Sequence, residues 1–405
     1  MKFLILGANF FNKGAQAMLF ITVSELRTRF PGCEIYFLSS EKAEKGYSFK
    51  WISDYNGWEY AKGGINAVKT LLRVPYWKIR GRKASYKRVF AFDKKMSEMD
   101  AFVDVSGYAL SSQRGFVRSR NYIGQIMVAE RKHIPYFIMP QSIGPFDYGK
   151  NQAKMQKLLT KYLPYPVIIY PRETDGYELL TKEYGLKNVR LSKDFVLQNK
   201  GVDNSLIYTS EKKAEIPVLD AGKKVAVIPN MRNFEFSEKA PLIKLYTEII
   251  DKLRSLGNKV YLLRHSSEDI EACRLIYDAL EDKKNVELLA DDFDCIEFNG
   301  LVKQFDYVIG SRFHSIVHSM KNGVPAIVLG WAVKYHELLK LFSQERFMFD
   351  VRNSLNADEI AAAIDDMDKN FAEESQKIKE ALPACQTENC FDVISDYFKN
   401  SGNKA

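Results

Sequence analysis

The chain has 405 residues, 46% of them apolar and 27% charged, which is the composition of a globular protein large enough to bury the cores of two domains. Its five cysteines form no CxxC pair, so the sequence argues against a disulfide framework or a zinc module and favours a reducing compartment. The formal net charge is +8, but no recognition-helix pattern, RNA-binding aromatic motif or zinc finger accompanies it, and we expect no nucleic-acid partner.

Short apolar runs alternate with amphipathic helical stretches along the chain, which predicts an α/β fold of parallel sheets covered by helices on both faces. The first apolar run, in MKFLILGANFFNKG, is too short for a signal peptide, and no run reaches the roughly 20 apolar residues that span a bilayer. We therefore expect a cytoplasmic protein. In the first half the sequence predicts a helix over 14–29 and strands over 2–7, 34–39, 101–107, 135–142 and 166–173.

The densest basic stretch, KIRGRKASYKR over 78–88, lies between the second and third of these predicted strands. Two interpretations of this stretch stay open. One is a solvated loop or helix face. The other is a patch for an anionic acceptor or for an anionic membrane surface, and a membrane patch would hold the protein peripherally at the inner face of the membrane.

The second half repeats the same alternation. It predicts a helix over 241–256 and strands over 223–230, 259–265, 285–290, 307–311 and 325–331. A polar segment over 199–222 separates the halves, and beyond 357 the chain becomes helical and charged. The pattern therefore predicts two domains, 1–200 and 201–356, followed by a C-terminal helical segment, 357–405.

Ligands of open parallel sheets bind beyond the carboxyl ends of the strands, so the residues that follow each strand are candidates for a site. In the first half these candidates are Ser106, Gln141, Ser142 and Arg172, with Asn12 and Gly14 at the start of the first helix. The free N–H groups of that helix N-terminus favour an anion. Each candidate also has a purely structural interpretation, as a helix cap, a rigid turn or a salt bridge within a helix.

The segment GSRFHSIVHSMKNGVPAIVLGW, over 310–331, places Arg312 and His314 where a strand is followed by a helix. A lone histidine on an apolar helix is most often a core residue. His314, however, follows an arginine at a helix start, and Lys334 is expected at the neighbouring strand end, so we interpret His314 as functional. His314 and His318 have the i, i+4 spacing of a metal-binding pair, but no third ligand accompanies them, and we expect no metal.

Five cations are expected beyond the strand ends, and His265 directly follows one of these cations, Arg264. The cations are Arg172, Arg232, Arg264, Arg312 and Lys334. Arginine forks match the oxygen pairs of carboxylates and phosphates. Such a group of cations therefore predicts a small, highly charged anionic ligand.

These residues carry a resemblance to the polysaccharide pyruvyl transferase family. The matching segments are NKGAQAML, PQSIGPF, YPRETDGYELL, SKDFVL with Asp194, and SRFHSIVHSMKNGVPAIVLGWAVKYHELL. The resemblance implies two Rossmann-like domains facing a cleft in a GT-B-like arrangement, with the acceptor side in 1–200 and the donor side in 201–356. It also implies transfer of pyruvate from phosphoenolpyruvate, as a ketal, to sugar hydroxyls of a lipid- or nucleotide-linked precursor of a surface polysaccharide, without a cofactor.

The resemblance also implies roles for individual residues. His314 is the expected general acid, Arg312 the expected grip on phosphate or carboxylate, and Lys334 a further anion contact. Either His265 or Asp104 is the expected acceptor of the hydroxyl proton. The segment VSGYALSS, which contains Ser106, departs from the more glycine-rich turn of the family and leaves acceptor contacts there open.

Two other functions stay open at this point. A GT-B glycosyltransferase would share the fold, use a nucleotide-sugar donor and hold its ribose with Glu337. A non-catalytic carbohydrate-binding protein on the same scaffold would have no need of the cations. Release of phosphate from phosphoenolpyruvate distinguishes the three.

Overall fold

The computed structural model describes residues 1–41, 45–52, 57–80, 85–212, 214–236, 238–330, 332–351 and 356–402. Within these ranges twelve strands form two six-stranded parallel sheets. The first sheet consists of β1 (Lys2–Leu6), β2 (Glu34–Leu38), β3 (Lys50–Ile52), β4 (Ala101–Asp104), β5 (Tyr136–Gln141) and β6 (Ile168–Pro171). Their spatial order is β3-β2-β1-β4-β5-β6, that of a Rossmann fold.

The second sheet has the same topology. It consists of β7 (Lys224–Ile228), β8 (Lys259–Leu263), β9 (Val286–Leu289), β10 (Tyr307–Gly310), β11 (Ala326–Leu329) and β12 (Met348–Phe349), in the order β12-β11-β10-β7-β8-β9. The strand order reverses between β1 and β4 in one sheet and between β7 and β10 in the other. These are the switch points beyond which ligands of such sheets bind.

The helices of the first sheet lie between its strands. They are α1 (Lys13–Arg29), α2 (Gly57–Ala61), α3 (Gly64–Ile79), α4 (Tyr86–Ser97), α5 (Phe116–Arg131), α6 (Gln152–Tyr162), α7 (Thr174–Glu178), α8 (Phe195–Gln198) and α9 (Asn204–Ile207). A π-helical turn, Leu179–Glu183, extends α7, and two 3₁₀ turns occur at Ser112–Arg114 and Gly149–Asn151.

The second sheet has its own helices. They are α10 (Asn233–Phe236), α11 (Lys239–Ser255), α12 (Asp269–Ala279), α13 (Cys295–Val302), α14 (Phe313–Lys321) and α15 (Val333–Lys340), followed by α16 (Ala357–Cys385) and α17 (Asp392–Gly402). A 3₁₀ turn spans Glu345–Phe347. Of the helices described, none is both long and apolar enough to cross a membrane.

Helix α1 joins the two halves of the molecule. Thirteen of its seventeen residues are buried, and it packs against α13 and α14 of the second half as well as against α8 and α9. A helix that is buried almost all round has neighbours on every side, which explains why its sequence is apolar without a wide polar face. One hydrophobic core therefore includes residues from both sheets, such as Phe3 and Val308.

The last two helices pack on different halves. Helix α16 contacts α11 and β11 in the second half. The chain then returns to the first half, where Phe391 contacts Phe195 and Phe398 contacts the edge of Phe3, with ring centroids 5.5 and 6.0 Å apart. The C-terminal segment thus bridges the two halves.

The predicted α/β architecture is confirmed, and all ten predicted strands occur with shorter bounds. The edge strands β3 and β12 were not predicted, because three and two residues are too few to show a period. The predicted strand over 325–331 ends at Leu329, and its last residue, Trp331, lies outside the described residues.

Candidate active site

The segment after β10 forms the turn that the sequence predicts. Arg312 is the N-cap of α14 in an extended conformation, and its side chain makes no capping hydrogen bond, so the first N–H groups of α14 stay available. The carbonyl oxygen of Ser311 accepts hydrogen bonds from the Asn230 Nδ2 (3.1 Å) and the Tyr335 hydroxyl (2.8 Å). The turn is therefore held at the switch point between β7 and β10.

Arg312 is paired with two carboxylates, those of Glu268 and Asp269. Its Nε donates to both carboxylate oxygens of the buried Asp269 (3.1 and 2.8 Å), and its Nη2 donates to Glu268 (2.5 Å). Asp269 also accepts hydrogen bonds from the backbone N–H groups of Met231 and Ser266. Arg312 thus ties together the loops after β7, β8 and β10, and in the described chain only its Nη1 has no hydrogen-bond acceptor.

His314 meets a carboxylate from the other half of the molecule. Its Nε2 lies 3.3 Å from Oδ2 of Asp194, which is the N-cap of α8. Burial lowers the pKa of His314 more than Asp194 raises it, and the cations Arg172 and Lys334 lower it further. Burial alone would raise the pKa of Asp194, but the charges and hydrogen bonds of His314 and Arg172 hold it below its ordinary value.

Gly14 provides the space for the His314 ring. A Cβ built on Gly14 would lie 2.2 Å from Cγ and 2.3 Å from Nδ1 of His314. The ring therefore rests on the backbone of the first turn of α1. Of the two ring nitrogens, Nε2 is buried and faces Asp194.

Arg172 connects several of these groups. Its Nη1 donates to Asp194 (2.7 Å), its Nε to Glu173 (3.1 Å) and its Nη2 to Ser142 (2.9 Å). Its guanidinium also lies 4.1 Å from the ring centroid of Phe313, at the start of α14. Arg172 therefore meets Phe313 across the boundary between the halves, and Ser142 is hydrogen-bonded to Arg172.

Lys334 is the predicted cation whose charge has no carboxylate partner within 4 Å among the described residues. Its Nζ lies 5.4 Å from the ring centroids of Tyr108 and Phe313 and 5.6 Å from that of Tyr335. Burial, together with the positive charge of Arg172, lowers the pKa of Lys334 to about 7. Free energy would be gained by bringing an anion to this ammonium group.

Two cavities meet at Lys334. The smaller, of about 280 Å³, is lined by Arg172, Asp194, Phe313 and Glu337 among others. The larger, of about 920 Å³, lies on the first half, and its lining includes Tyr108, Gln113, Phe146, Gln152, Asp175 and Tyr184. Glu173 and Lys334 line both cavities, whereas His314 lines neither. The two shared residues therefore mark the junction between a small space lined by charged side chains of both signs and a larger space of mixed polarity.

Several predicted residues lie elsewhere in the structure. The amide of Gln141 and the hydroxyl of Ser106 donate to Asp104, which is fully buried and has a raised pKa because of that burial. These three residues form a network inside the first half and line neither cavity. Asn12 caps α1 by accepting a hydrogen bond from the N–H of Ala15 (3.2 Å).

The remaining predicted residues belong to the second half. His265 is fully buried beside Phe298, neither ring nitrogen has a hydrogen-bond partner among the described residues, and burial lowers its pKa well below the ordinary value. Arg264 lies 3.4 Å from Asp292, and Arg232 lies 3.7 Å from Glu268. All four predicted arginines of the cation group thus carry a carboxylate partner, and only Lys334 has none in the described chain.

Sequence reasoning missed Asp269, Glu173 and Arg114 as site residues. Asp269 and Glu173 each come within six residues of a strand end, which was the available signal. Arg114 follows no strand directly; it lies on the 3₁₀ turn next to Gln113, and burial, with Arg118 and Arg232 nearby, lowers its pKa. The described residues include no group of three or more His, Cys, Asp or Glu side chains placed to hold a metal ion.

The family model described as polysaccharide pyruvyl transferase matches residues 12–332. No curated protein matches the chain. Solved structures that share its fold include a putative UDP-N-acetylglucosamine 2-epimerase from Listeria monocytogenes, with 12% identity, a TM-score of 0.54 and coverage of 98% of this chain and 96% of that one. A co-structure of S. aureus MnaA with UDP has 10% identity, a TM-score of 0.56 and coverage of 99% and 96%. A trehalose-6-phosphate structure from E. coli with UDP-2-fluoro glucose has 10% identity, a TM-score of 0.50 and coverage of 99% and 98%. These likenesses show a GT-B-like fold.

Proposed function

The chain belongs to the polysaccharide pyruvyl transferase family, and from this premise we propose that it transfers pyruvate from phosphoenolpyruvate to two hydroxyls of a glycan acceptor as a ketal. The observation that carries the proposal is the small cavity beside Asp194, where Arg172 and Lys334 meet the N-terminus of α14. The acceptor is a precursor of a surface polysaccharide.

The charges around the small cavity support phosphoenolpyruvate as the donor. This molecule carries a phosphate and a carboxylate on a three-carbon frame, so its site needs concentrated positive charge. Lys334 supplies an ammonium group with no paired carboxylate in the described chain, and the first turn of α14 supplies free N–H groups. Arg312 offers its Nη1 as a further hydrogen-bond donor, while its Nε and Nη2 donate to Asp269 and Glu268 and hold the loop after β10 in place.

The reaction needs a proton on the methylene carbon and attack by a hydroxyl on the neighbouring carbon. We assign the proton to the imidazole ring of His314. Asp194, 3.3 Å from Nε2, stabilises the charged imidazolium before the transfer. His314 lines neither cavity, so phosphoenolpyruvate must move inward from the small cavity to reach the ring.

The steps balance without a cofactor. The first hydroxyl adds to the central carbon while the methylene carbon takes the proton and becomes a methyl group. The second hydroxyl forms the other carbon–oxygen bond as the carbon–oxygen bond to phosphate breaks. One hydroxyl proton replaces the proton that His314 gave, and the other leaves with inorganic phosphate.

The larger cavity is the proposed acceptor site. Its aromatic, amide and carboxylate lining, including Tyr108, Gln152 and Asp175, offers the stacking and hydrogen-bonding groups that a sugar needs. Glu173 lies at the junction with the donor cavity and is our candidate for accepting the hydroxyl proton. Asp104 and His265, the two earlier candidates, are enclosed away from both cavities.

The charges at the rim support an acceptor that is linked to a lipid or nucleotide through phosphate. Arg114 and Arg118 lie just after Gln113, which lines the larger cavity. The pKa of Arg114 is lowered by burial and by the neighbouring positive charges, so an anion at this rim would relieve a repulsion. The carrier phosphates of such an acceptor are anions of this kind.

Thermal unfolding of the full chain with added ligands tests the donor. A ligand at 100 times its dissociation constant stabilises the fold by about 2.7 kcal/mol. We expect phosphoenolpyruvate to raise the unfolding temperature of the wild type and of Lys340→Met, an exposed lysine on the same helix, but not of Lys334→Met. Stabilisation by nucleotide sugars alone would contradict the proposal and favour a glycosyltransferase.

A further inference from the structure

Helix α3 exposes a continuous apolar face. Ile65, Val68, Leu72, Tyr76 and Ile79 follow one another at helical spacing, and each is between 55% and 85% exposed. We call these five residues the α3 stripe. Two residues of α3 are buried, Thr70 and Val74, and they belong to the opposite face. The stripe is therefore apolar surface that the fold of this chain does not use.

The charges around the stripe all have one sign. Helix α3 contains no acidic residue, and its cations Lys69, Arg73 and Lys78 are exposed and have no ion-pair partner in the described chain. Lys69 and Arg73 each follow a stripe residue directly, so they lie about 100° further round the helix, at one edge of the stripe. Arg80, the C-cap, extends over the ring of Tyr76.

The next helix adds to the same surface. On α4, Tyr86 and Phe90 are 45% and 46% exposed, and Lys87 is exposed between them. The hydroxyl of Tyr86 donates to the carbonyl oxygen of Leu71, which joins the start of α4 to α3. Residues 81–84, part of the basic stretch over 78–88, lie outside the described residues.

We propose that the α3 stripe and its flanking cations dock on the surface of an anionic lipid bilayer. A helix with an apolar face, aromatic residues and lysine or arginine at its edge lies in the plane of a membrane surface, with its apolar side chains among the acyl chains. The cations are attracted to anionic headgroups at the same time. Charge complementarity selects the bilayer over a second copy of this chain, because two copies would bring the same cations together.

Helix α3 lies apart from the larger cavity. The chain leaves β3 at its carboxyl end and begins α3 a dozen residues later. Nε of Arg131, the last residue of α5, donates to the carbonyl oxygen of Ala61, and α5 ends just before β5, so α3 begins near the amino end of β5. The larger cavity lies beyond the carboxyl ends of the strands, at the other edge of the sheet. The proposal rests on the exposed helix and does not depend on the identity of the donor.

The test measures co-sedimentation of the full chain with vesicles of phosphatidylcholine alone and with vesicles in which a third of the lipid is phosphatidylglycerol. We expect binding to the anionic vesicles only. Molar salt, at which the Debye length is about 3 Å, should weaken it. Equal binding to both vesicle types, or to neither, would overturn the proposal.

Substitutions identify which surface of the protein binds the vesicles. Leu72→Glu should weaken vesicle binding roughly 10- to 100-fold, because the buried leucine contribution is lost. Val218→Glu makes the same charge change at an apolar residue that is 92% exposed elsewhere and should leave binding unchanged. Lys69→Gln with Arg73→Gln should weaken binding about fivefold for each cation, and Lys182→Gln with Lys244→Gln should not.

Light scattering without lipid tests whether a second copy of this chain binds the α3 stripe. We expect the wild type and Leu72→Glu to have the same molar mass in solution. A dimer that Leu72→Glu dissociates would assign the stripe to a second copy of the chain and overturn the proposal.

Discussion

His314 has little tendency to be protonated while no anionic ligand is bound in the site. Burial disfavours the imidazolium ion, and Arg172 and Lys334 add positive charge around it, so the pKa of His314 is lowered although Asp194 raises it. An anion within about 4–6 Å favours the charged form of a histidine. A bound phosphate and carboxylate would therefore raise this pKa and charge the ring only when there is a substrate to protonate.

Replacing His314 by asparagine should lower the rate of phosphate release at least 100-fold, because a general acid contributes about 10²- to 10⁴-fold to a rate. Phosphoenolpyruvate binding, measured by calorimetry, should stay within a few-fold of the wild type. His133→Asn is the matched control, since His133 is exposed, precedes β5 and lines neither cavity. Wild-type turnover in His314→Asn would contradict the general-acid assignment.

Lys334 should give phosphoenolpyruvate affinity a pH dependence centred near neutrality. With a pKa of about 7, the amine is charged below this pH and attracts the anion, whereas above it the protein must take up a proton to bind. The contribution of Lys334 should thus fall up to tenfold per pH unit above pH 7.

The control for this measurement is Lys334→Arg, whose side chain stays charged across the range. The phosphate of the ligand titrates near pH 6 in both proteins, so the ratio of the two affinities isolates the lysine. A ratio that does not change between pH 6 and pH 9 would show that Lys334 is not the titrating contact.

The active site depends on elements that hold each other in register. The His314 ring at the start of α14 rests on the first turn of α1, and Asp194 at the start of α8 faces it. Each of these three helices begins directly after a loop, and α1 packs against both α8 and α14. A change in one helix start therefore changes the position of the catalytic ring.

Gly14→Ala tests this dependence. The added methyl group would lie 2.2 Å from His314 Cγ, so the ring or the helix must move. A displacement of about 1 Å at a catalytic group can cost 100-fold in rate, and overpacking costs about 1–3 kcal/mol in stability. Gly201→Ala, where a Cβ meets nothing within 4 Å, should change neither phosphate release nor the unfolding temperature. Full activity in Gly14→Ala would show that the ring can shift without loss.

The sequence predicts the elements that are buried on both faces better than those at the edges. Each central strand, such as β1 or β10, is a continuous apolar run and stands out as a strand. Helix α3 was not predicted, and its apolar residues face outward. At the site, the cations after the strands were predicted, but of their carboxylate partners only Asp194 was singled out, without its contacts. Asp194 and His314 are 120 residues apart, and their contact depends on how two domains dock.

At the scale of the whole molecule, the two sheets share one hydrophobic core. Residues of both sheets, of α1 and of the C-terminal segment belong to the same cluster, which includes Phe37, Val308 and Ile394. Separating the halves would expose this apolar surface to water. We therefore expect the chain to unfold in one cooperative transition and not one domain at a time.

Phe391→Ala should lower the temperature of that single transition by about 4–6 °C, because removing a buried phenylalanine costs about 3–5 kcal/mol in a protein of this size. Phe391 is 1% exposed and packs on Phe195 of the first half. Calorimetry gives the result, and Val218→Ala, at an exposed residue, should leave the temperature unchanged. Two separate transitions, with only one of them shifted, would refute a shared core.

The burial of α1 has a consequence for biosynthesis. The ribosome makes α1 about 280 residues before its partners α13 and α14, an interval of roughly 15 to 60 s at ordinary elongation rates. During this interval the apolar surface of α1 has no final neighbour from the second half. The nascent chain therefore needs a cellular chaperone, or a provisional covering by its own first half, until α13 and α14 emerge.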